Sequence, residues 1–165
     1  MPMGFGEDRI RPSTSYGKCG WTTCNGQRYF CDSKAELIFL RTIEPMMEAG
    51  AILEFTWKPG PFAIEYKYKG KTGTKFYTPD AFIVWQNAVR EYIEIKRGQL
   101  DQEAGTKLKY FCTQYPDNHL VLVWVGRLPK KGVIHRRIER LSRSLLDHVW
   151  VMKPIPGATF DEYLD

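Results

Sequence analysis

The sequence predicts an α/β fold, a central mixed β-sheet flanked by α-helices. Three short apolar stretches of strand length, residues 51–57, 62–68 and 119–125, are separated by breakers and polar segments. Apolar residues at helical spacing, Leu40, Ile43 and Met47 in one stretch and Ile134, Ile138, Leu141 and Leu145 in another, supply helix faces able to cover a sheet. Residues 119–125 are largely apolar, as in the buried middle of a sheet, whereas the strands on either side of Asn87 are spaced as an antiparallel pair. At 165 residues, with 43% hydrophobic content, the chain has enough apolar material for one sizeable core.

In chain order, residues 1–15 are rich in Gly, Pro, Ser and charge and are expected to form a flexible arm. Asn25-Gly26 is a two-residue turn signal and predicts a hairpin over 17–31. A helix over 33–49 follows, ended by Gly50 and kinked or split by Pro45. The breaker Lys58-Pro59-Gly60-Pro61 separates the next two strands, and residues 70–73 are expected to make a basic turn before the strand that Asp80 opens. After Lys96 come Arg97-Gly98 and a polar loop, a helix over 106–115, the strand over 119–125, and a basic amphipathic helix. The folded domain is expected over 16–153, with an acidic, aromatic tail over 154–165.

The chemistry concentrates at Tyr77-Thr78-Pro79-Asp80 and at Glu94-Ile95-Lys96. Side chains alternate along a strand, so Glu94 and Lys96 share a face while Ile93 and Ile95 share the other. Pairing the two strands brings Asp80 near Glu94 and Lys96. Two carboxylates suit a hard cation such as Mg²⁺, which takes oxygen ligands and leaves places for water and substrate phosphate. A solvent-facing Glu-x-Lys pair is the plainer alternative, and such pairs contribute little. The proline before Asp80 and the buried partner face of Glu94 favour the site. Glu36 has two readings as well. Ser33-x-x-Glu36 is a capping-box pattern, yet Glu36 also falls in line with Leu40, Ile43 and Met47, where a buried carboxylate needs a partner.

Pro79-Asp80 followed by Glu94-Ile95-Lys96 resembles the PD-(D/E)XK nuclease superfamily. Upstream, Asn25-Gly26-Gln27-Arg28-Tyr29-Phe30 and Asp32-Ser33-Lys34-Ala35-Glu36 are similar to the start of the catalytic core in phage-type nucleases and TnsA-like transposon endonucleases. The resemblance covers roughly residues 17–125. It implies a restriction-endonuclease-like fold and a metal-dependent DNA endonuclease, with branched DNA or a host genome as substrate. It further implies that Asp80 and Glu94 bind Mg²⁺ or Mn²⁺, with the backbone carbonyl of Ile95 as an extra ligand and Glu36 completing the metal site. Lys96 would support the nucleophile or the transition state. A homodimer would supply two sites for two strands.

A formal net charge of +5 suits a polyanionic partner without demanding one. Candidate contacts to a nucleic-acid backbone are Lys34, Lys71, Lys75, Arg97, Lys107, Lys109, Arg136, Arg137 and Arg140. Each cluster also reads as a solvated face. Trp57, Tyr66, Tyr68 and Tyr77 are aromatic enough to stack on bases, although most are expected in the core. Of the histidines, none is assigned to chemistry, and His148 is expected near the end of a helix as a packing or capping residue. Cys19, Cys24, Cys31 and Cys112 lack a C-x-x-C pair, which favours reduced thiols over a zinc site. No apolar run has transmembrane length and no signal-peptide core opens the chain, so a cytoplasmic protein with no membrane partner is expected. The tail is expected to fray, to dock on a protein partner, or to fold over a basic groove. Two rival functions stand beside the nuclease: a non-cleaving nucleic-acid-binding module of the same fold, and a protein-binding factor acting through the tail.

Overall fold

The computed structural model describes residues 19–164. The arm expected over 1–15 lies outside the described residues. The elements are β1 (Cys19–Cys24), β2 (Gln27–Cys31), α1 (Lys34–Glu48), β3 (Ile52–Trp57), β4 (Phe62–Tyr68), β5 (Lys71–Tyr77), β6 (Ala81–Trp85), β7 (Arg90–Lys96), α2 (Gln102–Gln114), β8 (Leu120–Val125), α3 (Gly132–Ser144), β9 (His148–Met152) and β10 (Glu162–Leu164).

Five strands form the main sheet in the order β3-β6-β7-β8-β9. β3 pairs with β6 and β6 with β7 antiparallel, whereas β7 pairs with β8 and β8 with β9 parallel. The sheet is therefore mixed, as expected. All six residues of β8 are buried, because alternate side chains serve two cores. Val121, Val123 and Val125 pack with Ile93, Ile95 and the α1 residues Leu37, Phe39 and Leu40. Leu120, Leu122 and Trp124 pack with Leu108 and Phe111 of α2 and Ile138 and Leu141 of α3. Helices thus cover both faces, and the architecture is α/β.

The turn at Asn25-Gly26 forms as predicted, with both residues at left-handed φ values of 49° and 81°. Helix α1 runs through Pro45 without splitting. It ends in a Schellman arrangement: Gly50 takes φ 77°, its amide donates to Met47 O, and the Ala51 amide donates to Met46 O. Helix α2 starts at Gln102 rather than 106, because Asp101 caps it by accepting from the Ala104 amide at 2.7 Å.

Residues 71–73, expected in a turn, belong to β5. The turn shrinks to Lys69-Gly70, both at left-handed φ, and β5 pairs with β4 over its whole length as a separate two-stranded sheet. His148 opens β9 instead of ending a helix, since α3 stops at Ser144. The C-terminal segment adds β10 to the edge of β1. Two of its acidic groups are paired within the chain: Asp161 accepts from the Thr23 amide and pairs with Arg41 at 2.9 Å, and Glu162 pairs with Arg28 at 2.6 Å. No helix among the described residues is long and apolar enough to cross a membrane.

Candidate active site

Asp80 sits one residue ahead of β6, where the strand leaves the proline step. Its backbone is held from both sides: its amide donates to Ile93 O on β7, and its carbonyl accepts from the Lys58 amide, both at 2.9 Å. Its carboxylate accepts from the Ile95 amide through Oδ2 at 2.6 Å. What ties Ile95 to the site here is this amide. Oδ1 lies 3.3 Å from Lys58 Nζ. Asp80 is thereby aimed at the junction of the two strands that the sequence paired.

Glu94 and Lys96 project from β7 on the face opposite Ile93 and Ile95. Glu94 is only 8% exposed. Its Oε2 accepts from the Tyr77 hydroxyl at 2.5 Å, and its Oε1 lies 3.3 Å from Lys96 Nζ. Burial first, and then the Asp80 carboxylate, push the Glu94 carboxyl up to about 7. Burial opposes the charge on Lys96, but Glu94 and Asp80 outweigh it and hold the ammonium above its ordinary pKa. Tyr77 is buried beside the same carboxylate, so its hydroxyl titrates well above the ordinary range and stays a donor.

Glu36 takes part in the cap of α1, and its buried carboxylate finds a partner in a lysine. Its amide donates to Ser33 Oγ at 3.3 Å, and its Oε2 accepts from the Asp32 amide at 2.7 Å, a reciprocal cap shifted by one residue. Its Oε1 meets the Lys58 ammonium. Burial, followed by the charge on Asp80, raises Glu36 to about 7. Lys58 had no signal in the sequence beyond its place in a breaker. It follows β3 at a left-handed φ of 51°, uncommon for a lysine, and its ammonium also lies 3.3 Å from Asp32 Oδ2. Burial works against that charge, yet Asp80 and Glu36 raise its pKa above the ordinary value.

The predicted carboxylates are thus brought to one place in two subsets. Glu36 and Asp80 share Lys58, while Glu94 sits with Lys96 and Tyr77 within reach of the Asp80 charge. Their oxygens do not converge as tightly as those of Glu91, Asp147 and His148, whose ligand-type atoms lie within 4.8 Å of one another. This second group is assembled where β7 and β9 begin, and only Glu91 in it is buried. The donor chemistry of Asp80, Glu94 and Glu36 is all oxygen, partly buried and deficient in compensating charge, which fits a hard divalent cation. A cleft of about 340 Å³ opens beside Glu94 and Lys96, bounded by Phe76 and Thr78 on one side and Asp101 and Lys107 on the other.

Among the predicted nucleic-acid contacts, Lys107 lines this cleft. Lys34 begins α1 and Arg97 follows β7, both half-exposed; Lys71 is exposed at the start of β5. Lys75 is committed within the fold, 3.4 Å from Glu103 and over the Tyr66 ring at 4.4 Å. Lys109, Arg137 and Arg140 line a groove of about 310 Å³ between α2 and α3, and Arg136 is exposed on α3. Arg137 also donates to Leu100 O at 2.9 Å, so it braces the loop that follows the site. Tyr66 and Tyr77 are buried, and Trp57 packs against Tyr29 and Phe39. All four cysteines are free.

Residues 21–132 match the family model described as Protein of unknown function (DUF1064), about two thirds of the chain and a span that contains Glu36, Lys58, Asp80, Glu94 and Lys96. No curated protein and no solved structure matches the chain.

Proposed function

The chain belongs to the DUF1064 family, and we propose that it is a metal-dependent endodeoxyribonuclease of the restriction-endonuclease-like kind. The observation that carries this reading is the placement of Asp80 against the Ile95 amide, between the Glu36–Lys58 pair and the Glu94–Lys96 pair. A mixed sheet in which one key carboxylate directly precedes β6 and the other lies on its antiparallel neighbour β7, covered by helices on both faces, supports it. So does the resemblance of Pro79-Asp80 and Glu94-Ile95-Lys96 to the PD-(D/E)XK pattern.

Asp80 and Glu94 would hold Mg²⁺ or Mn²⁺, with Glu36 available once Lys58 withdraws from it. Such an ion, when bound, polarises a phosphoryl oxygen and lowers the pKa of a coordinated water. The chain's own groups do the rest. The Ile95 amide and the Tyr77 hydroxyl fix one oxygen each of Asp80 and Glu94, which leaves the other oxygens directed by geometry rather than by rotamer chance. Lys96 places a positive charge where negative charge grows on a phosphodiester. The cleft between Thr78 and Lys107 admits the strand. A homodimer would place two such sites on two strands.

One observation favours the non-cleaving module: the Lys58 ammonium already bridges Glu36 and Asp80. Incubating the protein with supercoiled plasmid, linear duplex, single strand and a four-way junction, in Mg²⁺, Mn²⁺ or chelator, separates the two. Metal-dependent cutting that disappears in Asp80→Ala, Glu94→Ala and Lys96→Ala establishes the nuclease. Salt-sensitive binding without cutting of any substrate establishes the module.

A further inference from the structure

The β4–β5 hairpin stands apart from the main sheet and packs a single face on the rest of the protein. Ile64, Tyr66 and Tyr77 supply that face and lie in the core with Leu108 and Phe111 of α2. The register pairs Ala63 with Phe76, Glu65 with Thr74 and Lys67 with Thr72, so these six share the opposite, solvent-facing side. Phe76 is 65% exposed, immediately before Tyr77, which is 6% exposed. The inner face therefore holds the hairpin in place, and the Phe76 ring contributes nothing to that burial.

An isolated exposed apolar residue ordinarily means nothing. The place of this one is different. Phe76 lines the same cleft as Glu94, Lys96, Thr78 and Lys107. Beyond it, on the same face of the hairpin, stands the exposed cation Lys67, with Lys96 and Lys107 on the cleft side. A flat apolar ring set between ammonium groups matches one class of ligand, a nucleotide strand, whose phosphates meet the lysines while a base covers the ring. A base already stacked and paired in a duplex has no free face to offer, but an unpaired one does.

We propose that Phe76 is a stacking platform for an unpaired base, and that the segment seated in the cleft is single-stranded DNA, free or as the unpaired part of a branched molecule. This rests on the phosphodiester-cutting reading for the direction in which the strand runs, from the hairpin past Phe76 to Glu94 and Lys96. Stacking is indifferent to base identity, so the preference is for strand state and not for sequence.

The test is binding without cleavage. In chelator, fluorescence anisotropy of a labelled oligo-dT and of a blunt duplex is compared for the wild type, Phe76→Ala and Phe76→Trp. The expected result is a loss of about 5- to 150-fold in oligo-dT affinity for Phe76→Ala, with duplex affinity unchanged and oligo-dT affinity retained in Phe76→Trp. Thermal unfolding should be the same for all three, since the ring is exposed. Equal oligo-dT binding by Phe76→Ala and wild type overturns the proposal, as does an equal loss for oligo-dT and duplex. Cleavage is scored separately. Ring-dependent binding with no cutting keeps this inference and removes the hydrolase, whereas metal-dependent cutting with ring-independent binding does the reverse.

Discussion

Lys58 and Glu36 meet between the end of β3 and the first turn of α1, and the ammonium reaches Asp80 from the same position. One ammonium is therefore shared between two of the carboxylates proposed to hold a metal. An incoming divalent cation must compete with it. Lys58→Met removes the competitor and leaves buried Glu36 without a counter-charge. Breaking a buried pair costs about 3–5 kcal/mol, and less here because Lys58 remains 29% exposed. The expected outcome is a lower melting temperature without metal and a tighter Mg²⁺ affinity by calorimetry. Mg²⁺ affinity equal to or weaker than wild type would show that the ion does not take the place of Lys58.

Glu36 and Glu94 both titrate near 7, raised first by burial and next by Asp80. The sign follows from linkage. Below the ordinary value of 4.5 both carboxyls are protonated in folded and unfolded chains and cost nothing. As pH rises from there through 7, the unfolded chain gives up protons that the folded chain retains, so stability falls. Lys58 and Lys96, raised above 10.5, stay charged in both states and add no slope in this window. A divalent metal held by the ionised carboxylates, as proposed, would offset the loss. Differential scanning fluorimetry should show a metal-free melting temperature that drops between about pH 5 and pH 8, with a larger Mg²⁺ shift at the upper end. A metal-free protein that gains stability across that range contradicts the burial of these two groups.

Tyr77→Phe removes only the hydroxyl that donates to Glu94 Oε2 at 2.5 Å. The ring keeps its packing on Phe111. Because that hydrogen bond favours the ionised form, its loss raises Glu94 further. The acid limb of the pH–rate profile should move to higher pH, with a rate loss of about 10- to 100-fold, the size associated with groups that orient a metal ligand. An unshifted limb at full activity would mean that Tyr77 serves packing alone.

The proximity of Asp80, Glu94 and Lys96 was legible in the sequence because period-two alternation and a proline step are local signals. Asp80, Glu94 and Lys96 could be paired from spacing alone, and the Asn25-Gly26 turn and buried β8 followed from equally local patterns. Lys58 was illegible because its partners Glu36 and Asp80 are each 22 residues away and meet it only across three elements. Strand β5 hid behind polar residues, since a hairpin with one solvent face needs little apolar content, and its one exposed aromatic, Phe76, looks the same in sequence as a buried one. Tyr66 and Tyr77, two of the four aromatics considered for stacking and expected mostly in the core, are indeed buried there. The contacts of the tail are long-range for a related reason. Asp161 and Glu162 meet Arg41 and Arg28 from more than a hundred residues away, a pairing no local pattern announces.

The thiols offer a check on the packing that needs no activity. Burial raises Cys24 and Cys112 to about 11 and Cys31 to about 12, with nearby glutamates adding to the first and last of these. Thiolate is the reactive species, so these three should be inert to a disulfide reagent at about pH 8. Cys19 is only partly buried. The native protein should release one equivalent of chromophore quickly and the remaining three only in denaturant. Three fast thiols would place β1, β2 or α2 on the surface.

Gly20 has a steric reason to be glycine. A Cβ there would stand 2.4 Å from Glu162 O and 2.8 Å from Phe160 Cγ, and the nearer obstacle is backbone. Gly20→Ala must therefore push β10 off β1, breaking the pairing of Gly20 with Tyr163 and pulling Asp161 away from Thr23 and Arg41. Overpacking of this kind costs about 1–3 kcal/mol, or roughly 2–12 °C in a chain of this size. Truncation after residue 159 removes the same contacts by another route. If β10 is held only through this surface, the two changes undo one interaction, and the double variant should melt close to the truncated protein rather than at the sum of both losses. Additive losses in thermal melts would mean that Gly20 meets a second constraint elsewhere on β1.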